Sequence, residues 1–542
     1  MTKENCLLGI DVGTTGVKAL LIDAAGQVLT SATAEYSMLT PRPLWAEQHP
    51  ADWWVATTTS IRQVLDKAGI DPGQVAGIGL TGQMHGLVLL DAHGEVLRPC
   101  IMWNDQRTTA QCAAITREVG TENVLRLTGN PVLPGFTAPK IAWVRENEPE
   151  VYRQAAKMLL PKDYVRYRLT NGFFSEVSDA SGTSLFDVDQ RCWSDEMLKV
   201  VGVPRAWLPE VTESPVVSAR VSPSAARETG LLAGTPVAGG GGDQAAQAIG
   251  TGIYAEGVVS VTIGTSGVVF ASSEVYRVEP QGRLHAFCHA VPGMWHLMGV
   301  MLSAGGSFRW YRDTLGNLER VQAGEAGLDP YDLLTEAAAQ VAPGCEGLLF
   351  LPYLTGERTP YPDPNARGVF FGLTLRHSKA HLTRAVLEGV SYGLRDSLEL
   401  MRALGLSMEQ VRASGGGARS LLWRQILADI FDVEITTVSV TEGAAYGAAL
   451  LSAVGVGVYG SVAEACQAAI QVTGHAVPGQ ASATYQELYP LYRDLYPALR
   501  PSFNAIAQVA VQASGSPVAS LTRTMSPNLA TLSRFSADSR II

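Results

Sequence analysis

Two short turns constrain this chain more than any other feature. Gly13-Thr14-Thr15-Gly16 lies between apolar runs within residues 7–23, and Gly264-Thr265-Ser266-Gly267 lies between apolar runs within 258–271. Each segment reads as strand, turn, strand, with glycines where the backbone must reverse tightly. A motif that returns at this distance implies two similarly built halves, each presenting a hairpin to a shared cleft. A length of 542 residues agrees, being too long for one ordinary core.

The rest of the chain mixes both periodicities. Residues 75–80, 86–90, 347–351 and 434–438 read as extended, and 51–68, 382–402 and 421–431 as helical. The class is therefore α/β. The stretch 233–253 is expected to cross between the halves. Residues 501–542, rich in Ser and Thr, read as a flexible tail.

Net charge is −10, which argues against a general nucleic-acid binder, since such a protein needs a basic face. It does not argue against ATP, whose phosphates backbone N–H groups can hold. No uncharged apolar run of about 20 residues is present, so no membrane span is expected. The seven cysteines are scattered, without a Cys-x-x-Cys pair, which fits a reducing cytoplasm better than a disulfide framework. The oligomeric state is left open, a homodimer included.

A third glycine cluster, Gly415-Gly416-Gly417-Ala418, precedes the helical segment 421–431. Glycines between a strand and a helix leave room for a nucleotide and expose helix N–H groups. Any one of the three clusters could be a plain turn; together they favour a bound nucleotide. Competing phosphate motifs fail. No Lys follows a Gly, and neither His-Arg-Asp nor Asp-Phe-Gly occurs. Gly77-Ile-Gly79-Leu-Thr-Gly82 matches a dinucleotide pattern, but residues 83–91 read as extended where that fold needs a helix.

The sharpest single feature is Gly239-Gly240-Gly241-Gly242-Asp243-Gln244. Asp243 is either a helix N-cap or a carboxylate that accepts a proton, kept ionised with help from the helix dipole. Four preceding glycines favour the second reading, because something large must pass close to the backbone. Asp11, at the end of the first strand, is either bonded to turn N–H groups or a ligand for Mg²⁺. His285, Cys288, His289 and His296 lack paired metal-ligand spacings and read as structural. Trp45, Trp53 and Trp54 read as packing residues.

Longer patterns then connect these points. Residues 135–147, Gly-Phe-Thr-Ala-Pro-Lys-Ile-Ala-Trp-Val-Arg-Glu-Asn, and residues 368–373 with 381–388 resemble the two signatures of the FGGY carbohydrate kinases. Gly82-Gln-Met-His-Gly86, Trp103-Asn-Asp105, Leu160-Pro-Lys-Asp-Tyr164 and Leu354-Thr-Gly-Glu-Arg-Thr-Pro360 resemble the subgroup of that family acting on D-xylulose. The likeness spans residues 7–500.

The resemblance implies two ribonuclease H-like, actin-like ATPase domains around a central cleft, at 1–250 and 251–500. It implies ATP and Mg²⁺, and phosphorylation of the sugar's 5-hydroxyl. Asp243 and Asp11 would be catalytic, with Asp11 near the metal. Met84, His85, Asp243 and Gln244 would contact the sugar. Gly13, Thr14, Thr15, Gly264, Thr265, Ser266, Gly416, Gly417 and Ala418 would hold ATP. Gln244 departs from the Asn expected after the catalytic Asp, which bears on sugar choice. Another ketose, a polyol or a sugar acid is the alternative substrate. An actin-like ATPase working on a protein partner explains the hairpins but not Asp243 or Met84-His85, and a non-catalytic sugar sensor does not need both carboxylates.

Overall fold

The computed structural model describes residues 6–440 and 442–513. Its first sheet contains β1 (Cys6–Val12), β2 (Gly16–Ile22), β3 (Val28–Glu35), β4 (Val75–Gly82), β5 (Val217–Arg220), β6 (Pro236–Ala238) and β7 (Gly241–Gly242), in the order β5-β6-β4-β1-β2-β3 with β7 also on β4. β1, β2 and β3 run antiparallel, while β4 is parallel to β1, β6 and β7. The second sheet contains β8 (Gly257–Ile263), β9 (Gly267–Ser273), β10 (His285–Cys288), β11 (Trp295–Met301), β12 (Met408–Ser414), β13 (Glu434–Val438) and β14 (Val472–Ala476), in the order β10-β11-β9-β8-β12-β13-β14.

The two sheets share one plan. In each, a hairpin and a third antiparallel strand extend one way from the first strand (β1-β2-β3 and β8-β9-β11). Two parallel strands and then an antiparallel one extend the other way (β4-β6-β5 and β12-β13-β14). The repeated turn motif therefore marks repeated topology.

Helices complete the layers. They include α1 (Pro50–Ala68), α2 (Thr137–Asn147), α3 (Asp243–Gly250), α4 (Gly305–Leu315), α5 (Lys379–Ala403), α6 (Leu421–Phe431), α7 (Ala444–Gly455) and α8 (Ala481–Ala513). Trp53 and Trp54 of α1 are buried in the first core, in keeping with a packing role. In the second core, α5 and α6 pack with the inner strands.

The halves are joined by close backbone approach. A Cβ at Gly9 would lie 1.9 Å from the Ala445 carbonyl oxygen, and one at Gly79 1.9 Å from that of Ala448. Glycine at both positions lets α7, from late in the chain, lie directly on the first sheet. On its other side α7 meets α3, where a Cβ at Gly447 would lie 1.8 Å from the Ala246 carbonyl oxygen.

One expectation fails. Residues 501–513 are not a tail; they are the last turns of α8. Its Tyr485, Tyr489 and Tyr496 donate to Glu388, Asp396 and Asp363 at 2.6, 2.7 and 2.7 Å. Pro490, Pro497 and Pro501 all lie on the exposed side of this helix, where a lost N–H bond is replaced by water. Residues 514–542 lie outside the described residues.

Candidate active site

Parallel strands put their carboxyl ends side by side. Asp11 on β1 is opposite Thr81 on β4, and Thr81 is opposite Gly241 on β7. One residue past β4 comes Gln83, then Met84 and His85; immediately past β7 comes Asp243. Three neighbouring strands thus deliver both candidate carboxylates and the candidate sugar contacts to one crevice, the place where open parallel sheets bind ligands.

Asp243 is the first residue of α3, and Gly242 is the N-cap, so the carboxylate is not a helix cap. Burial works against its ionisation. Burial and, second, the charge of Asp11 push its pKa up to about 7, against a smaller pull from the Gln244 backbone and side chain. The helix terminus is outweighed by lost hydration. Gln244, expected to face sugar, has its amide engaged by Asp243. A Cβ at Gly242 would sit 2.9 Å from the Met84 sulfur, so Met84 lies directly against the turn that carries Asp243.

Asp11 is raised to about 6 by burial, with Lys18 opposing. Lys18 is its cross-strand neighbour and pairs with Glu442 from the second half. Asp11 Oδ1 and Thr81 Oγ1 are buried with no hydrogen-bond partner among the described residues. Unpaired oxygens of this kind fit a hydrated Mg²⁺, which keeps several waters and takes few protein ligands. No cluster of three or more His, Cys, Asp or Glu suited to a metal occurs among the described residues.

His85 has φ 70°, a left-handed conformation uncommon for His. Three groups hold it there. Thr137 Oγ1 and Lys140 Nζ donate to its carbonyl at 3.1 and 2.8 Å, and its Nδ1–H donates to the Gly182 carbonyl at 2.6 Å. Its ring lies 4.5 Å from that of Phe136. Burial, then Lys140, drives its pKa down to about 3, so the ring is neutral and Nε2 is left as an acceptor. Lys140, the lysine of the first signature, also donates to the Gly135 carbonyl at 2.7 Å. It is fully buried with no carboxylate ion pair among the described residues, and burial lowers its pKa to about 7.

Each phosphate-type turn is braced from behind through its carbonyls. In the first turn, Tyr36 Oη donates to Gly13 O at 2.5 Å, Gln48 Nε2 to Thr14 O at 2.7 Å and the Tyr36 N–H to Thr15 O at 3.1 Å. In the second, the N–H groups of Gly305, Ala304 and Gly306 donate to Gly264 O, Thr265 O and Thr265 O at 2.8, 3.0 and 3.0 Å. Beside the second turn is a cavity of about 490 Å³ lined by Gly264, Thr265, Phe308, Gly416, Gly417 and Trp423. A second cavity of about 490 Å³ lies on the far side of Gly416, and Ala418 lines that one instead. Ser266 lines neither.

Sequence reasoning left two contributors without a role. Trp103 is 42% exposed, and its Nε1 donates to Thr14 Oγ1 at 3.1 Å. A large aromatic exposed beside a phosphate-type turn is the signal that could have found it. The second is the support beneath Asp243. Ser178 Oγ accepts from the Gly242 N–H at 3.0 Å and donates to Glu176 Oε1 at 2.9 Å. Glu176 lies 3.5 Å from Lys162 Nζ, which also meets Asp163 at 2.7 Å and Asp179 at 3.2 Å. His285, His289 and His296, meanwhile, are neutral packing residues; burial depresses the pKa of each.

Two braced turns, a nucleotide-sized cavity and a carboxylate at a glycine-lined strand end define a phosphotransferase on a duplicated α/β frame. The chain matches the model of the FGGY family of carbohydrate kinases, N-terminal domain, over residues 6–250 and its C-terminal domain over 259–456, and it belongs to that family. Its fold is the two-domain actin-like ATPase fold. It is 42% identical to the xylulose kinase of Escherichia coli K12, over 91% of this chain and 99% of that protein. It is 32% identical to the gluconokinase of Bacillus licheniformis, over 92% and 97%. The crystal structure of xylulose kinase from Rhodospirillum rubrum superposes with a TM-score of 0.86 at 31% identity, over 92% of this chain and 100% of that one.

Proposed function

We propose that the protein transfers the γ-phosphoryl group of ATP to the 5-hydroxyl of D-xylulose, giving D-xylulose 5-phosphate and ADP. The observation that supports this reading is that Asp243 follows Gly242, whose Cβ position lies 2.9 Å from the Met84 sulfur, and that it feels the charge of Asp11 at the adjoining strand end. Asp243 accepts the hydroxyl proton as the oxygen attacks phosphorus. In a loose phosphoryl-transfer transition state a base of pKa near 7 is sufficient, because positioning does most of the work. His85 Nε2 accepts from a sugar hydroxyl, and Met84 packs on the carbon chain. Thr14, Thr15, Thr265 and Ser266 border the triphosphate with Gly13 and Gly264; Gly416, Gly417 and Ala418 form the adenosine wall.

Mg²⁺, when bound, neutralises phosphate charge, and Asp11 is the residue that would hold it, directly or through water. Closure of the halves excludes water and limits ATP hydrolysis. The functional division of the chain falls at 250/251, with α7 built into the junction. No helix among the described residues is long and apolar enough to cross a membrane, which is compatible with the cytoplasm as the site of action. A second reading, a sugar acid as substrate, has the gluconokinase similarity in its favour.

The test is a phosphorylation panel of pentuloses, polyols and sugar acids with ATP and Mg²⁺. D-Xylulose should give the highest kcat/KM. Absence of transfer to any pentulose would sink the proposal, and preference for gluconate would replace it with the second reading.

A further inference from the structure

The segment Glu357-Arg358-Thr359-Pro360 lies outside the constellation of Asp243, Met84 and His85. Its backbone is fixed on both sides of Arg358. Glu357 is buried, and its Oε1 accepts the N–H groups of Leu302 and Arg358 at 2.9 and 2.7 Å. The Thr359 N–H donates to Val300 O at 3.1 Å, the Val300 N–H to Thr359 Oγ1 at 3.2 Å, and Thr359 Oγ1 to Arg283 O at 2.9 Å. The Arg358 side chain, by contrast, is exposed and has no hydrogen bond or ion pair among the described residues. A rigid loop that presents an unpaired guanidinium is built to meet a ligand, because five fixed donors are otherwise left to water alone.

Its surroundings say which ligand. Val300 packs with Phe136, Phe287 and Met298. That patch holds the His85 ring, 4.5 Å from Phe136 and 6.2 Å from Phe287. The positive charge of Arg358 acts on both His85 and His285, alongside Lys140 from α2 at His85. Met84, His85 and Asp243 come from the first half of the chain, whereas Arg358 comes from the second half, and its charge is felt at His85.

We propose that Arg358 is a substrate-binding residue that donates guanidinium N–H groups to the C1 and C2 oxygens of the pentulose, the end remote from the hydroxyl at Asp243. A ketone oxygen can only accept, and a planar pair of donors spans a ketone and its neighbouring hydroxyl. Because the contact comes from the opposite half, sugar bound this way also ties the halves together. The inference rests on the pentulose reading above.

The test pairs a variant with an altered substrate. For Arg358→Met, KM for D-xylulose should rise about 10- to 100-fold, the range of a lost charged hydrogen bond. KM for ATP and the thermal midpoint should be unchanged. Arg358→Lys, which keeps charge but not the planar fork, should fall between. With 1-deoxy-D-xylulose the wild type should lose affinity, whereas Arg358→Met should bind both sugars about equally, since each change removes the same contact. An unaltered sugar KM in the folded variant, a parallel rise in ATP KM, or an undiminished penalty for the missing hydroxyl overturns the assignment. A wild type inactive on every pentulose overturns the functional reading instead.

Discussion

Asp243 combines two demands that oppose each other. It must be ionised to accept a proton, yet burial and Asp11 hold its pKa at about 7. As pH falls below about 7 the base becomes protonated, so kcat/KM for the sugar should rise with pH and level off above that value; a profile flat from pH 5 to 9 would contradict the role. Asp243→Asn should lower kcat by about 10³-fold while leaving ATP affinity intact, within the usual range for a lost general base. The same replacement bears on stability. Its folded pKa lies above the ordinary 3.8, so the fold prefers the protonated form; that advantage is full below about 4 and lost as pH rises to about 7. Asp243→Asn should therefore raise the melting temperature at pH 8 but not at pH 4, as calorimetry would show. Lys140→Met removes the two hydrogen bonds by which one ammonium ties His85 O to Gly135 O, leaving Thr137 as the donor to His85 O. It should raise sugar KM more than it changes kcat, measured under saturating ATP.

At the scale of elements, the site hangs on the junction of β7 and α3. The Gly242 N–H has Ser178 Oγ as its acceptor, and Ser178 leads into the buried carboxylates gathered around Lys162. Ser178→Ala leaves that N–H unpaired in a dry place, a penalty of about 1–3 kcal/mol. We expect a matching loss of stability by urea titration and a fall in kcat larger than in an Ala replacement at exposed Ser502. These elements were unequally legible. α6 and β13 fall where periodicity put them, at Leu421–Phe431 and Glu434–Val438. Residues 501–513 did not, because three prolines mask the spacing of Tyr485, Tyr489, Tyr492 and Tyr496, which lie on one buried face. Proline is a strong local breaker, and only packing on α5 makes the helix worth its lost bonds.

For the whole molecule, the two halves meet through α3 and α7 at glycine contacts with no space for a side chain. Gly447→Val should therefore destabilise the junction by several kcal/mol, since its Cβ would lie 1.8 Å from Ala246 O; a normal melting temperature would show that the junction is loose. Local signals in the chain determined the duplicated plan, the two turns, Asp11, Asp243 and the family, because turn chemistry and hydrophobic periodicity are written in neighbouring residues. The tertiary structure alone decided that Gly242 rather than Asp243 caps α3, that burial outweighs the helix dipole at Asp243, and that Gln244 turns to that carboxylate. It alone brought Lys140 and Ser178 to the site. Desolvation and the partners of a buried group depend on what folds over it from far along the chain, and no local pattern records that.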